Sequence, residues 1–108
     1  MKIVIPLTAL TLFFASASTL YADELDGEAL ATEKRCVGCH DLDRNLLGPS
    51  YQAIAARHSA NKEVMLEVLA QKIIIGGAGN WGIVPMVPNE HLSLDEARAI
   101  SRWILDLQ

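Results

Sequence analysis

The chain has 108 residues, a formal net charge of −4 and 51% hydrophobic residues, with two cysteines and three histidines. This length suits one domain. The acidity argues against nucleic acid as a partner, because phosphate binding needs a basic face.

The amino terminus reads as an export signal. Lys2 is the only charged residue before Asp23, Ile3 to Phe14 is almost continuously apolar, and Leu20-Tyr21-Ala22 ends on a small residue. That is the order of a secretory signal peptide over residues 1–22. The apolar stretch is short for a bilayer, and no second segment of ~20 apolar residues follows, so no membrane span is expected. Cleavage would leave one domain, residues 23–108, of 86 residues; its charge would be −5, because Lys2 is lost. A domain of that size buries only about 60–65% of its unfolded surface and often depends on a staple, a metal or a cofactor.

The mature chain opens on a predicted helix. Leu25, Ala29, Thr32 and Cys36 recur at helical steps and form one face leading into the cysteines. Asp23, Glu24, Asp26 and Glu28 bring acids to the positive helix end.

The cysteines lie in Cys36-Val37-Gly38-Cys39-His40, the attachment pattern for a c-type haem. Two thiols three positions apart near a helix end can each form a thioether with one porphyrin vinyl group. His40 then falls beneath the ring, where its imidazole can bind iron. Gly38 keeps the strip small, so the backbone can approach the flat macrocycle. Three other readings compete. A Cys36–Cys39 disulfide would close a ring too tight to staple much chain. A thioredoxin-like pair needs a βαβ setting, and no strand alternation is present. A tetrahedral zinc site needs a fourth ligand, and His58 and His91 lack paired metal spacing. Export agrees with haem c, which bacteria attach outside the inner membrane.

Asp41 to Asn45 reads as loop. Gly48-Pro49-Ser50 then breaks the chain and opens a short helix, Tyr51 to His58. A third helix runs from about Lys62 to Ile75, with Met65, Leu66, Leu69, Lys72 and Ile73 on adjoining stripes and Gly76-Gly77 as the stop. The segment from Gly76 to Asn89 holds four of the seven glycines and two of the four prolines, and its length marks it as a functional loop. The last helix begins at Ser93-Leu94-Asp95-Glu96, a capping box, and carries an apolar face of Leu94, Ala97, Ile100, Trp103, Ile104 and Leu107.

If His40 binds iron on one side, the candidates for the other are Met65, Met86, His58 and His91. Met65 lies on an apolar helical stripe and reads as core filler. His58 ends an alanine-rich helix and His91 sits in a polar turn; both read as surface residues. Met86 lies in Val84-Pro85-Met86-Val87-Pro88, where two prolines stiffen the backbone on either side. A stiff loop can hold a weak thioether ligand, or Met86 can be a plain apolar anchor. Imidazole plus thioether raises a haem potential and leaves no open site, which suits electron transfer better than substrate chemistry.

Four pieces together resemble the small class I bacterial cytochromes c of the cytochrome c-551 type. They are Cys36 to His40, Leu47-Gly48-Pro49-Ser50-Tyr51, Trp81 to Asn89, and Ala97 to Leu105 with Trp103. The resemblance implies an all-α, cytochrome c-like fold of about four helices round one covalent haem c, with the first and last helices crossing. It implies thioethers from Cys36 and Cys39 and axial iron ligands His40 and Met86. The Pro49 carbonyl would accept the free ring N–H of His40. Trp81 and Lys72 would lie near a haem propionate, and Asn89 near the Met86 sulfur. Three positions depart from the pattern. Arg35 replaces a common glycine, and Ile83 a common proline. Leu30 and Ala31 stand where an aromatic is usual, which predicts a looser contact with Trp103.

The function this implies is a monomeric periplasmic electron carrier, not an enzyme. Its redox partners would be of the cytochrome bc complex, nitrite reductase, cytochrome c peroxidase or oxidase type. Two alternatives stay open: a haem gas sensor or peroxidase-like enzyme with open iron, and a fixed electron-transfer subunit of a larger enzyme.

Overall fold

The computed structural model describes residues 2–4 and 24–108. The expected signal peptide otherwise lies outside the described residues, as does Asp23. Four helices follow in order: α1, Gly27–Glu33; α2, Tyr51–Arg57; α3, Lys62–Ile75; and α4, Leu94–Leu105. A single 3₁₀ turn, Cys36–Gly38, follows α1. Among the described residues, β pairing is confined to two isolated bridges, His40 with Asn45 and Gly77 with Met86. The expected all-α architecture is the one observed.

The first helix starts where Asp26 caps it, its carboxylate accepting the Ala29 N–H at 3.0 Å. The face it buries is not the expected one. Gly27, Leu30 and Ala31 are buried, whereas Leu25, Ala29 and Thr32 are exposed. The run Ala29-Leu30-Ala31 is apolar all round, so its periodicity does not define a phase; the partner helix does. At Gly27 a Cβ would collide with the Ala99 carbonyl oxygen and lie 2.7 Å from the Trp103 Cβ. The missing side chain lets α1 and α4 touch backbone to backbone. The close approach of α1 to Trp103 comes through Gly27, outside the Leu30–Ala31 contact expected to be loose.

Arg35 explains the first departure from the family pattern. It follows the α1 C-cap, Lys34, and adopts left-handed backbone, φ 63° and ψ 28°. Glycine is the usual residue there because a Cβ costs about 1–2 kcal/mol in that region. Glycine gives back about 0.5–1 kcal/mol through its freer unfolded chain. Arg35→Gly should therefore stabilise the holoprotein by about 0.5–1 kcal/mol, a rise of a few degrees in Tm. A fall in Tm would mean that contacts of the Arg35 side chain outweigh the strain.

The hub of the fold is α4. It packs on α1, α2 and α3, while those three do not pack on one another. The core cluster joins Leu30, Ala31, Tyr51, Ile54, Ala70, Ile73, Leu92, Ala97, Ala99, Ile100 and Ile104. The capping box forms as the sequence predicts. The Ser93 hydroxyl accepts the Glu96 N–H at 3.1 Å, and the Glu96 carboxylate accepts the Ser93 N–H at 2.9 Å. That backbone bond holds the Glu96 carboxyl below its ordinary range. Lys34, 3.8 Å from Glu96, ties the end of α1 to the start of α4.

The boundaries of α3 match those expected, but its packing differs. Leu69, Ala70, Ile73 and Ile74 meet the core, whereas Met65 and Leu66 are only half-buried and lie outside the cluster. Val64, Val68 and Ile75 are exposed. Its apolar residues are spread round the helix between Glu63, Glu67 and Gln71, so their pattern could not say which side faces inward.

Candidate haem-binding site

The segment holding His40 is built from short-range bonds. The His40 N–H donates to the Cys36 carbonyl at 3.0 Å, which closes the cysteine turn and places the imidazole directly after it. Gly48 donates to the Cys39 carbonyl at 2.8 Å, and a Cβ at Gly48 would lie 2.5 Å from the imidazole Cε1. Only glycine lets the returning chain lie against that ring. The next carbonyl, that of Pro49, then sits 2.6 Å from His40 Nδ1. A carbonyl can only accept, so Nδ1 donates to it, and Nε2 is the nitrogen left without a hydrogen-bond partner among the described residues.

The start of α2 buttresses this arrangement. Ser50 caps it through Ala53, and Tyr51 and Gln52 donate to the carbonyls of Asp41 and Leu42. The Tyr51 ring stacks on His40 with centroids 5.6 Å apart and meets Trp103 edge-on at 4.9 Å. Its hydroxyl is buried without a protein partner, and burial pushes it well above its ordinary pKa. Cys36, half-buried against the core, and exposed Cys39 are both free thiols. Burial, ahead of the neighbouring Cys39, raises the Cys36 thiol.

Met86 is held by a different device from the one its prolines suggest. Gly77 and Met86 exchange both backbone hydrogen bonds, each 2.9 Å, in a one-residue antiparallel bridge. Gly76 makes the turn into that bridge with φ +72°, and a Cβ there would strike the Met86 carbonyl oxygen. The side chain of Met86 is half-buried and packs against the core. Prolines 85 and 88 stiffen the segment, but the bridge sets its place.

The other expected residues fall as follows. Lys72, on α3, brings its ammonium to 3.2 Å from where a Gly77 Cβ would stand, beside the bridge. Asn89 donates its side-chain amide to the carbonyls of Ile73, at 3.0 Å, and Val87, at 3.3 Å, and its backbone N–H to the end of α3. One side-chain bond thus ties the loop to α3 and the other braces the loop locally. Trp81 is half-exposed, with the Arg57 guanidinium 4.4 Å above its ring. His58 caps the end of α2 and His91 is exposed in a turn.

Four contributors were not foreseen: Gly48, Tyr51, Gly77 and Arg57. The first two stood within the family-like stretch Leu47–Tyr51, so their presence was visible but their contacts were not. Gly77 read as a helix stop. Arg57, 23 positions before Asn80, offered no local signal.

This donor set fits a covalently held haem. Two free thiols, an imidazole with Nε2 unengaged, and a thioether on a pinned loop supply the needed atoms. The exposed Leu46, Leu47, Ile83 and Val84 offer apolar surface along the same segments. The cytochrome c family model matches residues 25–108. The chain belongs to the cytochrome c family. Cytochrome c-551 of Azotobacter vinelandii is 42% identical over 79 residues, which is 73% of this chain and 94% of that one. Cytochrome c-552 of Nitrosomonas europaea is 38% identical over 96 residues, covering 88% and 92%. The crystal structure of wild-type Nitrosomonas europaea cytochrome c552 superposes with a TM-score of 0.70 at 38% identity, over 75% of this chain and 99% of that one. This cytochrome c is therefore of the class I, c-551 type: a small electron-transfer protein with a covalently bound haem c and its iron.

Proposed function

We propose that Cys36 and Cys39 form the two thioethers, that His40 Nε2 and the Met86 sulfur are the axial ligands, and that the protein is a periplasmic electron carrier rather than an enzyme. The observation that carries this reading is the Nδ1–Pro49 hydrogen bond, which leaves His40 with one nitrogen to offer and a fixed ring orientation. The haem supplies the redox change, one electron at a time. The protein's part is to hold two soft or borderline donors in place, so that neither has to move when the charge changes. Gly48 and Tyr51 confine the imidazole, and the Gly77 bridge confines Met86.

Residues 1–22 act as the export signal, and the mature domain is residues 23–108. No helix among the described residues is long and apolar enough to cross a membrane. The protein works as a monomer. Its partners are redox proteins of the bc complex, nitrite reductase, peroxidase or oxidase type. They dock through Val37, Ile83, Val84 and Val87, all exposed. Lys72 and Trp81 would lie near a haem propionate, and Asn89 would hold the Met86 loop closed. Intact-mass measurement on exported protein tests the attachment: it should give the 86-residue chain plus one haem, surviving acid–acetone extraction. A bare-chain mass would overturn the cysteine assignment. Visible spectra of the ferrous protein, unchanged by carbon monoxide, should show that the iron is closed on both sides.

A further inference from the structure

We infer that Arg57 is a positioning residue for the Met86 loop: it latches Asn80 and Trp81 to the end of α2 and so controls how readily Met86 leaves the iron. This rests on the reading of Met86 as a ligand. Arg57 is the last residue of α2. Its Nη1 donates to the Asn80 carbonyl at 2.7 Å, while its guanidinium carbon stands 4.4 Å above the Trp81 ring. Among the described residues no carboxylate lies within ion-pair distance of Arg57, so its charge is directed to this carbonyl and this ring.

Beyond the Gly77–Met86 bridge at its base, the tip of the loop has little else to hold it. Residues 78–85 are exposed. Their internal bond is Gly79 N–H to the Gly82 carbonyl, 2.9 Å. Among the described residues, the Arg57–Asn80 bond is the only hydrogen bond from this stretch to another part of the chain. Gly79 and Gly82 both have positive φ, so the tip before Pro85 has little stiffness of its own. At its other end, α2 begins with Tyr51, stacked on His40. One seven-residue helix therefore braces the histidine with its first residue and latches the methionine loop with its last.

A planar guanidinium can stack and donate at once, which an ammonium cannot reproduce in one geometry. An exposed cation–π contact with a charged hydrogen bond should bias the loop about three- to tenfold toward closure. The test uses the ferric holoprotein and imidazole as the competing ligand. Arg57→Ala should bind imidazole about three- to tenfold more tightly than wild type, because Met86 yields more easily. Exchange of the Gly79 and Met86 amides should quicken by a similar factor. Arg57→Lys should recover little of either, and Arg102→Ala, an exposed cation lost from α4, should change neither. Unchanged exchange and unchanged imidazole affinity in Arg57→Ala would overturn the latch, as would full recovery by lysine. Faster exchange without tighter imidazole binding would overturn its link to the iron. Absence of the methionine–iron absorbance in the wild type would instead defeat the assignment of Met86, with amide exchange still deciding whether Arg57 holds the loop.

Discussion

Replacing Met86 by alanine should leave the haem attached, lower the reduction potential and open the ferrous iron to carbon monoxide. The thioethers do not involve Met86, so attachment survives. The potential falls because a thioether favours ferrous iron, and its loss should cost on the order of 0.1 V within the ~0.8 V range that axial ligands span. The backbone of residue 86 should stay in place, because its two bonds to Gly77 use no side-chain atom. The iron thus gains an open position without collapse of the loop. Stability should fall by about 1–2 kcal/mol as well, since the side chain is half-buried against the core. Met65→Leu is the control. Met65 is half-buried on α3 and away from the core cluster, so the potential should hardly move. Ready carbon monoxide binding by the wild-type ferrous protein would replace the closed carrier with the sensor or enzyme reading.

The Cys36→Ala/Cys39→Ala variant should be largely unfolded in the absence of attached haem. The reason lies in the way the helices meet. Only α4 touches the other three, so the protein core is one-sided. Its buried side chains are mostly alanine, isoleucine and leucine, with Tyr51 the sole buried aromatic among the described residues. Helices of seven residues, such as α1 and α2, do not persist in water without packing. Far-ultraviolet circular dichroism should therefore show a loss of most helical signal, with α3 and α4 the last to fade. Native helix content in that variant would contradict the view that the macrocycle completes the core.

Much of the site and most of the element boundaries could be read from residues alone, because their causes are local. The capping box needs only Ser93 and Glu96 in one turn, and it formed as expected. The limits of α3 follow from its run of helix formers and the Gly76-Gly77 stop. The cysteine–histidine run states its chemistry through spacing, since adjacent positions must reach one ring. Tertiary structure decided what depends on residues far apart in the chain. It selected Gly27 and Ala31 as the buried face of α1, because the backbone of α4 passes there. It chose one side of α3, whose apolar residues are spread all round the helix. It put Arg35 in left-handed backbone after a helix whose end the sequence had drawn further on. It joined Gly77 to Met86 and Arg57 to Trp81, pairs whose members carry no shared period or motif. Hydrophobic pattern and turn chemistry act within a few residues, whereas close approach between backbones depends on how whole helices stack, and in this protein they stack on α4.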